Sequence, residues 1–376
     1  MAADSVTMVM VGDVYVQRSD PWSAFAPIAP YLSSADVGFC NLETVIADAS
    51  YLDPDDHDQR PRTDESILPV YLEAGFNVFN IANNPTMYHG LRPFARQLDV
   101  LDQANLTYGG GGRNLAAARK PAIMERNGTR IAFVCRTSVG LLSSAATASK
   151  PGVARFGFRV AYEPRDRGLE VPGSPPLVQT FPNERDLREL IEDIHAAREQ
   201  ADTVVVSWHW GVSPASGGTG DIVSYQVEMG RLAIDSGADL VVGHHPHVLQ
   251  AIEVYRGKPV VYSLGNYVHD MGSMGHAGRR MSTMLVRCGI SGGRVAELSY
   301  VPGLLEGNGP PRFLKPAEAP AIVDYMAEIS EPYGTRFQTR ADDVAVLLDD
   351  YEPRNVLTRE GPIRAEAVVW RRAAGV

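Results

Sequence analysis

Residues 241–250 read Val241-Val242-Gly243-His244-His245-Pro246-His247-Val248-Leu249-Gln250, an apolar strand that runs directly into a turn with three histidines. Glycine lets the backbone bend at the end of the strand, and proline stiffens the segment that follows. Two imidazoles that are two residues apart at a strand end can face one point, as metal ligands must. The alternative is a turn whose histidines are only solvated and hydrogen-bonded. The pattern favours a metal site.

Seven more segments have the composition of buried strands. All eight are short, apolar and rich in Val, Ile or Phe, which is typical of strands covered on both faces. They are Val6–Val11, Val37–Cys40, Val78–Ile81, Ile131–Cys135, Thr203–Trp208, Leu240–Val242, Val260–Ser263 and Met284–Cys288. Segments with helical apolar spacing lie between them, such as the one that contains Phe94, Leu98 and Leu101. Strands that alternate with helices predict an α/β layered fold.

Polar side chains follow six of these strands at the point where each strand ends. They are Asp13, Asn41 with Glu43, Asn83 with Asn84, His209, the three histidines of residues 244–247, and Ser263 with Asn266. In an open α/β sheet, ligands gather outside the carboxyl ends of the strands. One such residue alone is typical of a cap or a turn. Six strand ends that together carry Asp, Glu, Asn and His predict one metal-binding crevice.

Composition and charge argue against several classes of protein. The chain has 376 residues, 44% of them apolar, and a formal net charge of -10. Nucleic acids and anionic membranes select basic surfaces, so this charge argues against both as main partners. The first residues contain no basic segment followed by a long apolar run, and the three cysteines lie far apart. We therefore expect no membrane anchor, no disulfide framework and a cytoplasmic location.

In order and type, the motifs resemble the CapA family, which is named for poly-γ-glutamate capsule synthesis and is similar to the calcineurin-like metallophosphatases. The resemblance covers about residues 6–270, and its last two motifs are the most specific. The matching motifs are Gly12-Asp13, Asn41-Leu42-Glu43, Ala82-Asn83-Asn84, His209-Trp210-Gly211, Gly243-His244-His245-Pro246-His247 and Tyr262-Ser263-Leu264-Gly265-Asn266. The resemblance implies a calcineurin-like layered sandwich, with two central β-sheets flanked by helices and a metal centre at the strand ends.

The resemblance also implies a set of ligands. The positions that match the family's metal-binding positions are Asp13, Glu43, Asn84, His209, His245 and His247. His244 falls on a variable position, where it is expected only to support the ligands, and the role of Asn266 stays open. The implied cofactor is a divalent metal, one or two ions, with iron, manganese or zinc as the candidates.

The chain departs from the family at two motifs. The family usually has Asn-Asn-His and, after two more residues, Asp, whereas this chain has Pro85 and Tyr88 at those positions. Proline cannot donate a proton, so the imidazole that resembles the phosphatase general acid is absent. His89 is a nearby substitute, but it lies four positions away. Tyr15 replaces the histidine of the Asp-x-His start, and it is either an iron ligand or a buried core tyrosine.

Three further histidines have open roles. His269 and His276 flank a segment after the sixth strand end, where each could act as acid or base, bind an ion or lie on the surface. His57 lies in the acidic segment of residues 53–58, which is either a source of extra ligands or a solvated loop.

The composition changes after Gly303, where the chain becomes rich in proline and then acidic. We therefore predict a metal-binding catalytic domain over residues 1–302 and a C-terminal appendage over residues 303–376 that packs on it. No internal repeat is visible in the sequence.

The leading hypothesis is a metal-dependent hydrolase. A bound ion would lower the pKa of a water molecule, and the hydroxide would attack an amide, lactam or ester, or less readily a phosphoester. His209 or His269 would give a proton to the leaving group. Carbonyl chemistry suits the absent general acid better than phosphoester chemistry does.

Two rival hypotheses use the same site. A non-haem iron oxygenase, with one or two irons, would hydroxylate a small hydrophobic or natural-product substrate. Its pocket would be lined by Trp208, Trp210, Tyr225, Tyr267, Met271, Met274 and Met281, which are alternatively plain core residues. A diverged relative that binds a ligand or supports capsule-type polymer assembly is the third hypothesis. The expected partner is a small molecule, and a homo-oligomer stays open.

Overall fold

The strands assemble into two large sheets and several two-stranded pairs in the computed structural model. The structure describes residues 5–54, 60–164, 171, 173–174, 176–214, 218, 220–271, 280–306, 309–349, 356–358 and 361–363. Strands and helices are mixed along these residues, so the predicted α/β class is confirmed.

In chain order the strands are numbered β1 to β24, and all eight predicted strands are confirmed. They are Ser5–Tyr15, Val37–Leu42, Val45–Ile46, Arg62–Thr63, Val78–Asn80, Thr107–Gly109, Gly111–Gly112, Ala122–Arg126, Thr129–Thr137, Gly152–Val153, Phe158–Glu163, Leu177–Pro182, Thr203–His209, Leu240–His244, Ile252–Tyr255, Lys258–Val261, Asn266–His269, Arg280–Ser291, Arg294–Glu306, Arg312–Phe313, Phe337–Thr339, Val344–Val346, Val356–Thr358 and Gly361–Ile363.

The α-helices are numbered α1 to α8. They are Trp22–Phe25, Ala29–Leu32, Leu68–Ala74, Leu91–Gln103, Leu115–Arg119, Glu184–Gln200, Ser224–Asp235 and Pro320–Ser330. Helix α4 buries Phe94, Leu98 and Leu101, as the four-then-three spacing predicts. At the start of α6, the side chain of Asn183 accepts hydrogen bonds from two backbone N–H groups of the first turn.

The larger sheet has the strand order β21-β22-β19-β18-β1-β2-β5-β6, with β17 also paired to β1 and β20 to β19. Strands β1, β2, β5 and β6 run parallel. The smaller sheet has the order β15-β16-β14-β13-β9-β8, and its strands β9, β13, β14 and β16 are also parallel. Parallel neighbours end at one edge, so each sheet gathers the polar residues that follow its strands.

One hydrophobic core contains side chains from both large sheets. Met8 and Phe39 of the larger sheet belong to the same buried cluster as Phe133 and Val205 of the smaller sheet. The rings of Phe39 and Phe133 stack with centroids 5.4 Å apart. The two sheets therefore pack against each other through large apolar side chains, which is the main source of stability at such a contact.

The C-terminal part of the described chain joins this core. Strand β22 pairs with β19, and Ile322 and Met326 of α8 lie in the same buried cluster as both sheets. The boundary predicted between residues 302 and 303 falls inside β19, and the division into a domain and an appendage stays a prediction. The three cysteines are buried and free, as expected.

No helix in the described ranges is long and apolar enough to cross a membrane.

Candidate metal centre

The centre lies where strands of both large sheets end, and glycines let their backbones approach it closely. A side chain at Gly12 would place its Cβ 1.8 Å from the carbonyl oxygen of Gly265. At Gly243 the Cβ would lie 2.0 Å from the carbonyl oxygen of Tyr262. Both contacts are impossible for any residue with a Cβ, so the two motifs need glycine beside their polar residues.

Asp13, near the end of β1, is fully buried and holds several neighbours in place. Its Oδ1 accepts a hydrogen bond of 2.8 Å from Asn41, and its Oδ2 accepts one of 3.1 Å from the backbone N–H of His245. Nδ1 of His247 lies 3.3 Å from Oδ2. Burial would raise the pKa of Asp13, but the hydrogen bond and charge of His247 hold it well below its usual range.

His247 is oriented by the groups around its Nδ1. This atom lies 2.8 Å from Oδ1 of Asn266 and therefore carries the proton, while Nε2 lies 3.6 Å from Oε1 of Glu43. Burial disfavours a charged ring, but the charge of Glu43 and the hydrogen bond to Asp13 raise the pKa of His247 to about 9. Asn266, whose role the sequence left open, thus orients an imidazole, as the supporting partners of metal ligands do.

Glu43 follows β2 and lies among three histidines. Its Oε1 is 3.6 Å from Nε2 of both His209 and His247, and its Oε2 is 3.9 Å from Nε2 of His269. These separations are too long for hydrogen bonds. Oε2 is buried and has no hydrogen-bond partner among the described residues. Burial raises the pKa of Glu43 well above its usual range.

His209 ends β13 and faces Asn84. Nε2 of His209 lies 2.6 Å from Oδ1 of Asn84, and Nδ1 lies 3.2 Å from the amide nitrogen of Asn41. The Asn84 amide is oriented in turn by Tyr88, whose hydroxyl accepts a hydrogen bond of 2.7 Å from Nδ2. Burial lowers the pKa of His209 well below its usual range, so the ring is neutral at pH 7.

The turn after β14 carries two neutral histidines with unsatisfied ring nitrogens. In the described chain, Nδ1 of His245 and both ring nitrogens of His244 are buried and have no hydrogen-bond partner. Burial lowers the pKa of His244 to about 4 and that of His245 to about 3. The backbone φ is 95° at His245 and 60° at His247, which is uncommon for residues other than glycine. Such strain is concentrated at functional sites.

His269 lies at the end of β17, beside the ring of His247. The two ring centroids are 5.2 Å apart, and the ring of Tyr15 packs edge-on against His269 at 5.4 Å. Tyr15 is almost fully buried and belongs to the core, and burial with the charge of Asp270 raises its pKa to about 12. The hydroxyl of Tyr15 donates a hydrogen bond to Oε1 of Gln17, and this partner together with burial favours the core role over that of a phenolate ligand.

All six residues predicted as ligands lie in one connected cluster, although their binding of a metal stays a prediction. Two sets of side chains each bring their potential ligand atoms within 4.8 Å of one another: Glu43 with His209 and His245, and Glu43 with His247 and His269. Carboxylate and imidazole donors fit iron, manganese or zinc. The unsatisfied oxygen of Glu43 and nitrogen of His245 are the atoms that a cation would satisfy.

Among the described residues, two other positions singled out in the sequence, His89 and Pro85, are not part of this cluster. Nε2 of His89 contacts the carbonyl oxygen of Arg60 at 3.1 Å, so His89 does not replace the absent general acid. Pro85 is buried at the start of a short 3₁₀ helix, Pro85–Met87. His57 and His276 lie outside the described residues.

Sequence reasoning missed the supporting residues of this cluster. Asn41 was seen as part of a motif and Tyr88 as a departure from one, but neither received a role. Both occupy strand-end motifs, which was the available signal. Their partners come from other strands, so the contacts themselves could not be read from spacing.

Fold and cluster together define an α/β protein with a candidate metal centre at its strand ends. The family model described as "Bacterial capsule synthesis protein PGA_cap" matches residues 7–271. The chain belongs to this family, and the resemblance to CapA proteins is confirmed.

Curated relatives agree with this assignment. "Capsule biosynthesis protein CapA" of Bacillus anthracis is 27% identical over 319 residues, which cover 82% of this chain and 70% of the relative. "PGA biosynthesis protein CapA" of Bacillus subtilis (strain 168) is 30% identical over 278 residues, which cover 72% of this chain and 64% of the relative. The chain thus spans about two thirds of the length of these relatives.

Similarity to solved structures is weaker. The crystal structure of a hypothetical protein from Thermus thermophilus aligns with a TM-score of 0.46 and 15% identity, over 80% of this chain and 99% of that one. This level of similarity bears on no property of the site.

Proposed function

We propose that the chain is a metal-dependent hydrolase of small-molecule amides, lactams or esters. The observation that carries this proposal is Glu43, a carboxylate that is only 2% exposed and has one oxygen without a hydrogen-bond partner in the described chain. A buried carboxylate in that state destabilises the fold unless a cation binds to it. The four imidazoles of the two sets around it, from His209, His245, His247 and His269, are ligands of the type that such a cation needs.

The metal would be held by residues from the predicted set of Asp13, Glu43, Asn84, His209, His245 and His247. A bound divalent cation lowers the pKa of a coordinated water and polarises a carbonyl oxygen. The protein's own contribution is orientation. Asp13 and Asn266 hold Nδ1 of His247, so that its Nε2 stays directed at Glu43. Tyr88 turns the amide oxygen of Asn84 toward His209.

Carbonyl substrates fit this site better than phosphoesters. An alkoxide leaving group depends on protonation, typically for 10²- to 10⁴-fold of the rate. The turn after Asn84 begins with Pro85, which has no proton to give. A bound cation can polarise the carbonyl oxygen of an amide, lactam or ester directly. An amine leaving group must also gain a proton, so an ester is the carbonyl substrate that depends least on the absent imidazole.

Proton transfer to the leaving group was predicted for His209 or His269. A ring nitrogen that binds a cation has no proton to give from that atom. Assigning His209 to the metal therefore removes its Nε2 as a proton donor. The role of His269 depends on whether one ion or two bind beside Glu43.

We also propose that the fold is a calcineurin-like layered sandwich flanked by helices, and the packing of the two sheets supports this. The names of the relatives connect those proteins with capsule and PGA biosynthesis. The alternative is therefore a non-catalytic role in capsule-type polymer assembly. Turnover by the metal-loaded chain would exclude it.

An iron-dependent oxygenase is the second candidate, because four histidines and two carboxylates suit iron as well as zinc or manganese. The hydrophobic pocket that favoured this hypothesis has fewer candidate lining residues than expected. Of the residues predicted to line a hydrophobic pocket, four are at most 8% exposed and belong to the core: Trp208, Trp210, Tyr225 and Tyr267. Met274 lies outside the described residues.

The test is turnover after controlled metal loading. The metal-free chain is loaded with Zn²⁺, Mn²⁺ or, without oxygen, Fe²⁺, and is assayed on anilide, lactam, ester and phosphoester substrates. We expect hydrolysis of carbonyl substrates, its loss in Glu43→Gln, and normal rates in the control His195→Gln, because His195 is exposed on α6. A fully loaded chain that is silent on all four classes would contradict the proposal. Oxygen uptake with iron would favour the oxygenase.

A further inference from the structure

We propose that Leu141 and Leu142 bind an apolar acyl chain of the substrate and thereby determine which carbonyl compounds the centre accepts. The two leucines belong to the loop of residues 138–144, which follows β9. This inference rests on the proposed function and specifies the substrate class of the same site. The sequence alone predicted no role for this loop.

The cluster of predicted ligands opens to solvent at Asn84. Five of the six predicted ligands are at most 6% exposed, whereas Asn84 is half-buried. The amide oxygen of Asn84 lies 2.6 Å from Nε2 of His209, inside the cluster. A substrate that approaches a cation held by these residues therefore passes Asn84. The side chains that are exposed beside Asn84 are the first that it contacts.

The loop of residues 138–144 packs against Asn84 at Gly140. The backbone φ of Gly140 is 124°, and a Cβ at this position would lie 3.2 Å from Cα of Asn84 and 3.4 Å from its Cβ. A larger residue would be strained by this φ and would press on Asn84. Glycine therefore lets the loop lie directly on the centre. Leu141 and Leu142 follow Gly140 in the chain, so they are placed next to Asn84.

Hydrogen bonds on both sides of Gly140 hold this loop in one conformation. Before it, the backbone N–H of Ser138 donates to the carbonyl oxygen of His209 at 2.9 Å. After it, the carbonyl oxygen of Leu141 accepts bonds from the backbone N–H and the hydroxyl of Ser144, at 3.0 and 2.6 Å. A loop that is already ordered loses little conformational entropy when a ligand binds, and this favours affinity.

The ordered loop exposes two large apolar side chains. Leu141 is 43% exposed and Leu142 is 77% exposed, the highest value for a large apolar side chain in the described part of the protein. Both gain free energy when an apolar group covers them. Tyr88, which also contacts Asn84, offers less apolar surface, because the guanidinium of Arg60 lies 4.2 Å from the centroid of its ring. The leucines are therefore the apolar surface that a substrate meets at the centre.

A carbonyl substrate with an apolar acyl chain fits both parts of this site. Its carbonyl oxygen suits a cation beside Glu43, and its chain suits the leucines. The leaving group has to gain a proton, which a leucine cannot give, so the acyl side of the substrate is the side that contacts the leucines. This contact is the same before and during the reaction, so it lowers KM and contributes little to kcat.

Binding of hydroxamates, whose two oxygens chelate divalent cations, tests the proposal without turnover. The zinc-loaded wild type is titrated by calorimetry with acetohydroxamate and with hexanohydroxamate. We expect hexanohydroxamate to bind at least about tenfold more tightly, because its longer chain covers the leucines. Equal or undetectable affinities of the two compounds would overturn the proposal, and this measurement needs no variant.

Substitutions then locate the preference. We expect Leu141→Ser/Leu142→Ser to lose it and Leu141→Met/Leu142→Met, which keeps an apolar surface, to retain it. Leu72→Ser is the matched control, at a leucine on α3 that is 44% exposed. An unchanged preference in the serine variant would overturn the proposal. If the serine variant also changed its oligomeric state in gel filtration, the leucines would belong to a protein contact instead.

Ester hydrolysis gives a second readout. We expect kcat/KM of the wild type to be at least about tenfold higher for methyl hexanoate than for methyl acetate, and the serine variant to lose this ratio through KM. Failure of this inference is distinct from failure of the proposed function. A chain that hydrolyses both esters with equal kcat/KM refutes only the inference. A chain that prefers hexanohydroxamate but hydrolyses no carbonyl substrate refutes only the proposed function.

Discussion

Glu43 and Glu253 are both buried carboxylates, 2% and 1% exposed, but their surroundings differ in one decisive respect. Oε1 of Glu253 accepts a hydrogen bond of 2.9 Å from Nε of Arg231, and its Oε2 accepts one of 2.5 Å from the hydroxyl of Tyr262. Both oxygens are satisfied. Glu43 lies near three histidines, none within hydrogen-bond distance of its carboxylate, and its Oε2 has no hydrogen-bond partner in the described chain.

The difference separates structure from function. Burial would lower the pKa of Arg231, but the charge of Glu253 raises it, so this pair is complete without any ligand. Burial raises the pKa of Glu43, and the charge of Asp13 adds to this effect, whereas the charge of His247 opposes it only in part. A buried ion pair with all its hydrogen bonds made stabilises the fold. A buried carboxylate without them, at the point where several strands end, indicates a site that a cation completes.

The largest expected effect is the difference in stability between substitutions of the two glutamates. Glu253→Gln leaves the guanidinium of Arg231 buried without its charge partner, and we expect a loss of about 3–5 kcal/mol in the free energy of unfolding. Glu43→Gln removes a buried carboxylate whose Oε2 has no hydrogen-bond partner in the described chain. In the metal-free chain we expect no loss of stability from it, and a gain on the order of 1 kcal/mol.

Urea unfolding of both variants in the presence of a chelator measures this difference. Equal destabilisation by the two substitutions would remove the distinction, because Glu43 would then have hydrogen-bond partners in solution. Added metal should stabilise the wild type and not Glu43→Gln, by about 2.7 kcal/mol at a metal concentration of 100 times Kd.

The next prediction concerns His247, which contacts both Asp13 and Glu43. His247→Ala removes an imidazole that Asp13 and Asn266 hold in place, and we expect metal affinity to fall by at least about 100-fold, or about 2.7 kcal/mol. Calorimetric titration with Zn²⁺ or Mn²⁺ gives the affinity. His195→Ala on the exposed face of α6 is the control. An unchanged Kd for His247→Ala would place the metal elsewhere.

The eight strands and the strand-end residues could be predicted, because each depends on local composition. Short apolar runs rich in Val, Ile and Phe are confirmed as strands, and the polar residues that follow them meet at one edge. Parallel strands make this second step a geometric consequence of the first. The six predicted ligands therefore needed no long-range information beyond the assumption of one crevice.

The rest depends on which strands become neighbours. His269 reaches Glu43 only because β17 pairs with β1, and Asn266 orients His247 from the same strand. The long pair β18 and β19 was predicted only as the short segment Met284–Cys288. Composition specifies that a segment is a strand, but not its register or its partner, so contacts between distant motifs stay hidden in a single sequence.

A smaller effect is expected from pH. His247 is protonated on both ring nitrogens at neutral pH in the metal-free chain, because the charge of Glu43 and the hydrogen bond to Asp13 raise its pKa to about 9. Protons therefore compete with the metal below pH 9, and affinity should rise by about tenfold per pH unit for each proton displaced. His244 and His245 do not compete at neutral pH, since their pKa values are lowered to about 4 and 3. Titrations at pH 6, 7 and 8 measure this slope, and a Kd independent of pH would contradict it.

The smallest expected effect concerns the orientation of the Asn84 amide. The two ends of an amide are nearly alike in shape, so a partner decides which end of Asn84 faces His209. Tyr88 is that partner, because its hydroxyl accepts a hydrogen bond from Nδ2 and leaves Oδ1 toward the centre. Tyr88→Phe frees the amide to turn its NH₂ group toward the cation. We expect metal affinity about tenfold weaker, the lower end for partners of ligands, with unfolding unchanged. Tyr162→Phe, at a tyrosine that is 70% exposed, is the control, and equal affinities in the two variants would show that Asn84 needs no such partner.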